Sequence, residues 1–330
     1  MAHFCYTFCM EVLITHTSAL QYWHACDRHR EAPASSQRAR KAPGNSPRAS
    51  ALLKGELLGV SMPVEVTVSS MKFRRSSQVF KTHVFTEIMP DRCLVNTNDG
   101  FLVASAELCF FQMASQLTLV DLIRLGYELC GSYSTPKRML GNDVPSAFSN
   151  TKYNLKPLTT KKRLTAFVER MSGKHGVKRA SRALEYIVDD SGSPMESALA
   201  ILLVLPFRLG GYGFPLPSMN RVVDPKAIMK RSSNKHYYKC DLFWREFGLA
   251  AEYDSALHHS DAKSIANDSI RRGELALSGI EVVTVTDKQL YRAEEFDKVA
   301  RQLATKMKRR IQIKNAKFTT KHRELRDLLL

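Results

Sequence analysis

Apolar and polar positions along the chain change period several times, and each change predicts an element. Val64-Glu65-Val66-Thr67-Val68 alternates strictly, as a half-buried strand does. His83-Val84-Phe85-Thr86 and Cys93-Leu94-Val95 predict two more strands. Asn98-Asp99-Gly100 is a turn signal, and Phe101-Leu102-Val103-Ala104 follows it as a further strand. Residues 105–130 then take helical spacing, with Leu108, Phe111, Leu119, Leu122, Ile123 and Leu129 facing a core. Residues 11–26, with Val12, Leu13, Ala19, Leu20 and Trp23 apolar, predict an N-terminal helix.

Residues 131–157 hold Gly131, Ser132, Ser134, Pro136, Gly141, Pro145, Ser146, Asn150 and Pro157, the composition of a boundary. From Thr159 a basic helical segment begins, with Lys161, Lys162 and Arg163, and then Lys174, Lys178, Arg179 and Arg182. Gly173 and Gly176 divide it into two helices. Ser193 as N-cap, Pro194 at the first turn and Glu196 beside it predict a helix from Pro194 to Val204. Gly210-Gly211-Tyr212-Gly213 has neither a preceding strand nor a Lys-Ser/Thr follower, so it reads as a turn rather than a phosphate loop. Asp241-Leu242-Phe243-Trp244 and Leu249-Ala250-Ala251-Glu252-Tyr253-Asp254 predict two strands. Residues 265–278 suit an amphipathic helix with Gly279 as its stop, and Ile280 to Thr286 is a β-branched strand.

These elements predict an α/β chain in five parts. They are an N-terminal helix (1–26), a basic linker or loop (27–55), a small α/β module (56–150), a second α/β domain (158–300) and a basic tail (301–330). The linker carries Arg28, Arg30, Arg38, Arg40, Lys41 and Arg48 among Pro, Ser, Gly and Ala, a mixture that cannot bury a core. The tail, which includes Arg309 and Arg310, reads either as a phosphate-contacting arm or as a solvated helix face.

Charge narrows the partners. The 330 residues carry a formal net charge of +17 and a pI near 9.6, which attracts polyanions, nucleic acid first among them. The seven cysteines are odd in number and hold no C-x-x-C, which argues against a disulfide framework and a zinc ribbon. Cys5 and Cys9 at i, i+4 read as metal ligands or, as the preferred reading, as small apolar residues of one helix face. No apolar run approaches the ~18 residues of a membrane span, and Glu11 interrupts the N-terminal apolar stretch. A cytoplasmic protein without a membrane partner is expected.

The candidate chemistry gathers between Asp241 and Thr286. If both runs there are strands, Glu252 and Asp254 point to one face. Carboxylates held together in a sheet repel and lose hydration, so they call for a cation or a proton. Asp241 and Glu252 are the expected ligands of a magnesium or manganese ion, which would lower the pKa of bound water and stabilise charge on a phosphate. Asp254 is a third ligand, an orienting group or a solvated strand-end acid. His258 or His259 offers a general base, or is a polar loop histidine. Glu196 approaches the metal or stabilises its helix dipole. Asp268 and Arg271, at i, i+3, form an ion pair or face the site. Lys161, Lys162, Arg163, Arg271, Arg309 and Arg310 are the expected DNA contacts.

Asp241, Glu252-Tyr253-Asp254, His258, Asp268, Arg271, Leu275 and Gly279 together resemble the restriction-endonuclease-like PD-(D/E)XK superfamily, in the branch of very-short-patch-repair-type endonucleases. The same arrangement ends proteins described as AbiEi-type antitoxins or as uncharacterised actinobacterial proteins. Ser193-Pro194-Met195-Glu196-Ser197 resembles the family's first helix, with Glu196 its acid. Thr15 to Trp23 resembles the opening of AbiEi-like proteins. The resemblance is specific over about residues 160–290. It implies a mixed central sheet flanked by helices, preceded by a smaller antitoxin-like module. The superfamily pattern has a lysine two residues after the second acid; here that residue is Asp254, with Lys239 and Lys263 as spatial candidates. Two functions follow as expectations: a metal-dependent DNA endonuclease, or a non-catalytic DNA-binding antitoxin or regulator with a cognate toxin as partner. An RNA-processing or purely structural role is a third class.

Overall fold

The computed structural model describes residues 12–26, 28, 38–47, 52, 59–97, 101–135, 151–224, 237–254, 262–313 and 316–330, with the side chains of 262–269 outside the description. The chain divides into two compact units, residues 1–122 with 134–184, and residues 123–133 with 185–330.

The first unit is built on a five-stranded sheet. Its strands are β1 (Leu13–Ile14), β3 (Val64–Val68), β4 (Phe80–Val84), β6 (Leu94–Asn96) and β7 (Leu102–Ala104), in the order β4-β3-β1-β7-β6. β2 (Arg40–Lys41) and β5 (Ile88–Met89) form a separate two-stranded ladder. Helices α1 (His16–Ala25), α2 (Ala106–Met113), α4 (Lys161–Arg170) and α5 (Val177–Leu184) complete it. Helix α3 (Leu119–Leu129) carries the chain across the division into the second unit.

Several expectations change here. Leu13 and Ile14 form a strand at the middle of the sheet, paired to both β3 and β7, instead of opening the helix. Both are essentially solvent-free, which suits two apolar residues that must point to opposite, covered faces. The 105–130 segment is two helices, because Thr118 starts a second one by pairing its hydroxyl with the Asp121 N–H and carboxylate. Part of the 27–55 stretch is structured: Arg28, Ala42 and Leu52 are buried, β2 pairs with β5, and the Ser69 N–H donates to Pro43 O at 2.9 Å. Helices α4 and α5, expected to open the second domain, belong to the first unit. There α4 ties Arg163 to Glu107 at 2.8 Å, and Arg179 reaches Ala114 O at 3.0 Å and Leu117 O at 2.8 Å. Residues 123–133, expected in the small module, belong to the second unit. The Asn98–Gly100 turn, Cys5 and Cys9 lie outside the described residues; Cys93, Cys109 and Cys240 are free thiols.

The second unit is a four-stranded mixed sheet in the order β11-β10-β9-β8, from β8 (Ser218–Val223), β9 (Tyr238–Trp244), β10 (Leu249–Asp254) and β11 (Glu281–Thr286). β8, β9 and β10 run antiparallel to their neighbours, and β11 is parallel to β10. That parallel pair needs a crossover, and α7 (Ala262–Leu277) supplies it. Gly279, at φ 75°, ends the turn after α7, as the sequence predicts. Leu275 of α7 packs with Val223, Cys240, Phe243, Ala250 and Ile280 on one face. Trp244 turns to the other face, donating from Nε1 to Pro215 O at 2.8 Å beside Phe214. Helix α6 (Pro194–Val204) is capped by Ser193, whose Oγ accepts from the Glu196 N–H at 3.1 Å, and packs on β9 and β10. Helices α8 (Asp287–Tyr291), α9 (Ala293–Lys306) and α10 (Phe318–Leu329) close the unit.

From Phe318 the tail is a docked helix. Phe318, His322, Leu325, Arg326 and Leu329 of α10 are buried; His322 Nδ1 meets Gly210 O at 2.7 Å, and Arg326 donates to Leu290 O at 2.6 Å. Its outward positions carry Lys321 and Arg323 against Glu324 and Asp327, so the helix combines an apolar stripe with a charged face of balanced sign. Gly210 makes this docking possible: its φ is 89°, and a Cβ there would lie 2.3 Å from Lys321 O. Gly210→Ala is therefore expected to lower stability by about 2 kcal/mol or more in a denaturant melt. An unchanged midpoint would show that α10 docks without this close approach.

Candidate functional site

Asp241 sits where the sheet is irregular. The β8–β9 register runs Met219↔Leu242 and then Arg221↔Cys240, skipping Asn220 opposite Asp241. The β9–β10 register ends at Ala251↔Leu242, one step short of Asp241 and Glu252. Cys240 and Phe243 pack in one cluster although a separation of three places residues on opposite faces of a regular strand. β9 therefore turns over at Asp241. Asn220 carries the matching distortion, with a left-handed φ of 49°. Its Nδ2 donates to Glu196 Oε2 at 2.5 Å and to Asp190 O at 2.8 Å.

Three carboxylates lie near this break. Asp241 Oδ2 accepts the Tyr253 N–H at 2.9 Å, in place of a ladder bond; the other oxygen has no hydrogen-bond partner among the described residues. Glu196 Oε2 also accepts the Gly192 N–H at 2.8 Å. Glu252 is gripped by both terminal nitrogens of Arg271, with Nη1 to Oε2 at 2.8 Å, and Arg271 Nη2 also donates to Lys239 O at 2.8 Å. The Arg271 guanidinium lies 5.8 Å from the Tyr238 ring centroid. These groups line a cleft of about 450 Å³ whose wall is Asp241, Glu252 and Asp254 and whose rim is Lys239, Arg271 and Arg272.

Electrostatics separates the acids. Burial first, then the neighbouring Glu196 and Glu252 carboxylates, push Asp241 up to about 7; the Tyr253 N–H and Arg271 oppose this and do not overcome it. Tyr238 is raised in the same direction by burial and by its hydrogen bond to Glu274 Oε2 at 2.9 Å.

Of the predicted site residues, the structure brings Asp241, Glu252, Asp254 and Arg271 to one cleft, with Glu196 close enough to act on Asp241. Arg271 faces the site, one of the two expected placements, and pairs with Glu252 of β10; the Asp268 side chain, the other expected partner, lies outside the described residues. His258 and His259 lie outside the described residues, as does the Lys263 side chain, while Lys239 is an exposed lining residue. Lys161, Lys162 and Arg163 belong to the first unit. Arg309 and Arg310 are exposed, and Arg309 donates to Gly213 O at 3.1 Å. Sequence reasoning missed Asn220, Tyr238 and Arg272. Only Arg272 carries a legible signal, as the basic neighbour of Arg271.

No family model, no curated protein and no solved structure matches this chain. No helix among the described residues is long and apolar enough to cross a membrane.

The donors suit one kind of ion. Among the described residues no three His, Cys, Asp or Glu side chains form a ready metal cage. A half-satisfied Asp241 with carboxylate neighbours fits a largely hydrated cation such as Mg²⁺, which is held through one or two carboxylates.

The shift of Asp241 fixes a pH dependence. Its carboxyl titrates at 3.8 in the absence of these neighbours and near 7 in the fold, so between those values the folded chain binds more protons. The stability it contributes is complete below about pH 4 and is lost as the pH rises through 7. Each pKa unit corresponds to about 1.4 kcal/mol, so the loss is of the order of a few kcal/mol. Asp241→Asn, which keeps an acceptor for Tyr253, is expected to melt higher than wild type at pH 8 and alike at pH 4. A lower melting temperature at pH 8 would contradict this origin of the shift.

Proposed function

We propose that the second unit is a restriction-endonuclease-like domain that binds DNA and hydrolyses its phosphodiesters with a divalent cation. The observation that carries this reading is Asp241: a carboxylate held near neutral pKa by burial and by neighbouring carboxylates, facing a cleft with a basic rim. The strand-strand-helix-strand order of β9, β10, α7 and β11 supports it, as does the acid of α6 beside Asp241. Asp241 and Glu252 would hold Mg²⁺ or Mn²⁺, and the ion would supply an activated water and offset charge on the phosphate.

The chain's own residues do the rest. Lys239 and Arg272 would present cationic groups to a phosphodiester in the cleft, while Arg271 is held on Glu252. Asp241 carries a proton for much of the time near neutral pH until a cation displaces it. The overall charge of +17 favours a salt-sensitive encounter with nucleic acid.

A second reading has its own observation. Arg271 already neutralises Glu252, and Asp254 stands where the superfamily pattern has lysine. On this reading the fold binds DNA without cutting it, as an AbiEi-like antitoxin or transcriptional regulator whose protein partner is a cognate toxin.

Supercoiled plasmid and single-stranded DNA, incubated with Mg²⁺ or Mn²⁺ against an EDTA control, separate the two. The endonuclease reading expects metal-dependent nicking that falls by about two orders of magnitude or more in Asp241→Ala and in Glu252→Ala. No cleavage by wild type, with salt-sensitive binding unchanged in both variants, would sink the enzyme and support the regulator.

A further inference from the structure

The first unit contains a second pocket, built around a histidine with an unusual backbone. His16 follows β1 after Thr15 and adopts a left-handed φ of 54°, a conformation that a non-glycine residue holds only when its surroundings fix it. They do so on every side. Its N–H donates to Gln112 Oε1 at 3.2 Å. Its Nδ1 meets Thr15 Oγ1 at 3.0 Å, and that hydroxyl meets Thr67 Oγ1 at 2.8 Å. Its ring stacks on His83 with centroids 3.7 Å apart and planes 21° from parallel. His83 is itself anchored, Nε2 to Glu65 Oε1 at 3.1 Å, while Glu65 also takes Lys81 Nζ at 3.2 Å and the Thr17 N–H at 2.8 Å.

This framework lines a cavity of about 320 Å³, at the lower end of the ~300–1,000 Å³ range of small-molecule sites. Its wall combines the His16 and His83 imidazoles, Phe85 and Phe111 with the hydroxyl of Thr67 and the amide of Gln112. Gln112 uses its oxygen on His16, and its NH₂ has no hydrogen-bond partner among the described residues. His16 Nε2 is in the same position. Burial and the neighbouring His83 hold His16 down to about 3, so its ring is neutral and offers a hydrogen bond without charge. Glu65 is compensated by Lys81 and His83, and Lys174 by Glu87, so the interior carries little net charge. Lys174 and the exposed His175 also line the cavity.

We infer that this cavity binds the base of a nucleotide, stacked against the imidazole and phenyl rings and hydrogen-bonded by the Gln112 amide and His16 Nε2. Flat aromatic walls and a few fixed, uncharged polar groups are what an unstacked base requires. A wholly apolar ligand would leave the Gln112 and His16 groups unpaired, and a bare anion would gain nothing from the rings. The base can belong to a free nucleotide or to an unpaired position of a strand. The inference stands apart from the carboxylate cleft, which lies in the other unit.

Calorimetric titration of the full chain in EDTA tests it, with the four ribonucleoside monophosphates, four homopolymeric single-stranded hexanucleotides, ribose 5-phosphate and inorganic phosphate as probes. At least one nucleotide or hexanucleotide is expected to bind, with the two phosphate controls at least about tenfold weaker. Binding by mononucleotides assigns a free ligand; binding by hexanucleotides alone assigns a strand. Gln112→Glu keeps the acceptor for the His16 N–H and removes the NH₂ donor; Phe85→Ala removes one ring from a half-buried position. Each is expected to weaken binding about tenfold in a chain that still unfolds cooperatively. The inference is overturned if no base-containing probe binds the folded chain, if ribose 5-phosphate binds as well as the nucleotides, or if both folded pocket variants bind like wild type.

Discussion

Arg271 grips Glu252 with two nitrogens and ties the same guanidinium to the Lys239 carbonyl. Through it, α7 and two strands of the second unit's sheet are held by one side chain. The fork satisfies Glu252 at the cost of any cation-binding freedom that carboxylate would otherwise have. Asp241, one step beyond the last regular pair, receives only weak relief from the same arginine and remains raised by burial and by two acids. On the proposed function, the chemistry of the cleft would turn on a single competition, between a guanidinium and a hydrated ion for the same carboxylate. That competition would separate a nuclease from a protein that only binds DNA.

The first unit resolves a similar problem the other way. Glu65 is buried, and burial alone would raise it. Hydrogen bonds from His83 and the Thr17 N–H, the nearby His16, and Lys81 overcome that penalty and hold it down to about 2. Nothing is left for a cation to do there. The histidines instead become fixed, flat surfaces, one of them kept neutral by the crowding. The same ingredients, a desolvated acid and its neighbours, thus give an acid raised toward neutral pKa in one unit and an acid held low in the other.

The second unit's local order was legible because it depends on near neighbours in sequence. Ser193 caps α6, Gly279 stops α7, and the strand-strand-helix-strand sequence forms as the periodicity predicts. Glu252 and Asp254 share one strand, and Asp241 lies on the strand beside it. Legibility failed where pairing is long-range. Leu13 and Ile14 look helical beside Leu20 and Trp23, yet two strands from elsewhere claim them. The basic helices α4 and α5 carry no mark of the unit they join.

The sequence by itself determined which segments become helices and strands over most of the chain, and that acids would crowd one edge of a basic protein. Periodicity, capping and composition act over a few residues, so a linear reading reaches them. Tertiary structure alone decided which charges meet. It gave Arg271 to Glu252 over 19 positions, left Asp241 beside Glu196, and closed a pocket by bringing Gln112 to His16 across 96. Desolvation and Coulomb terms depend on distance in space and on burial, and neither is written in the spacing of residues along the chain.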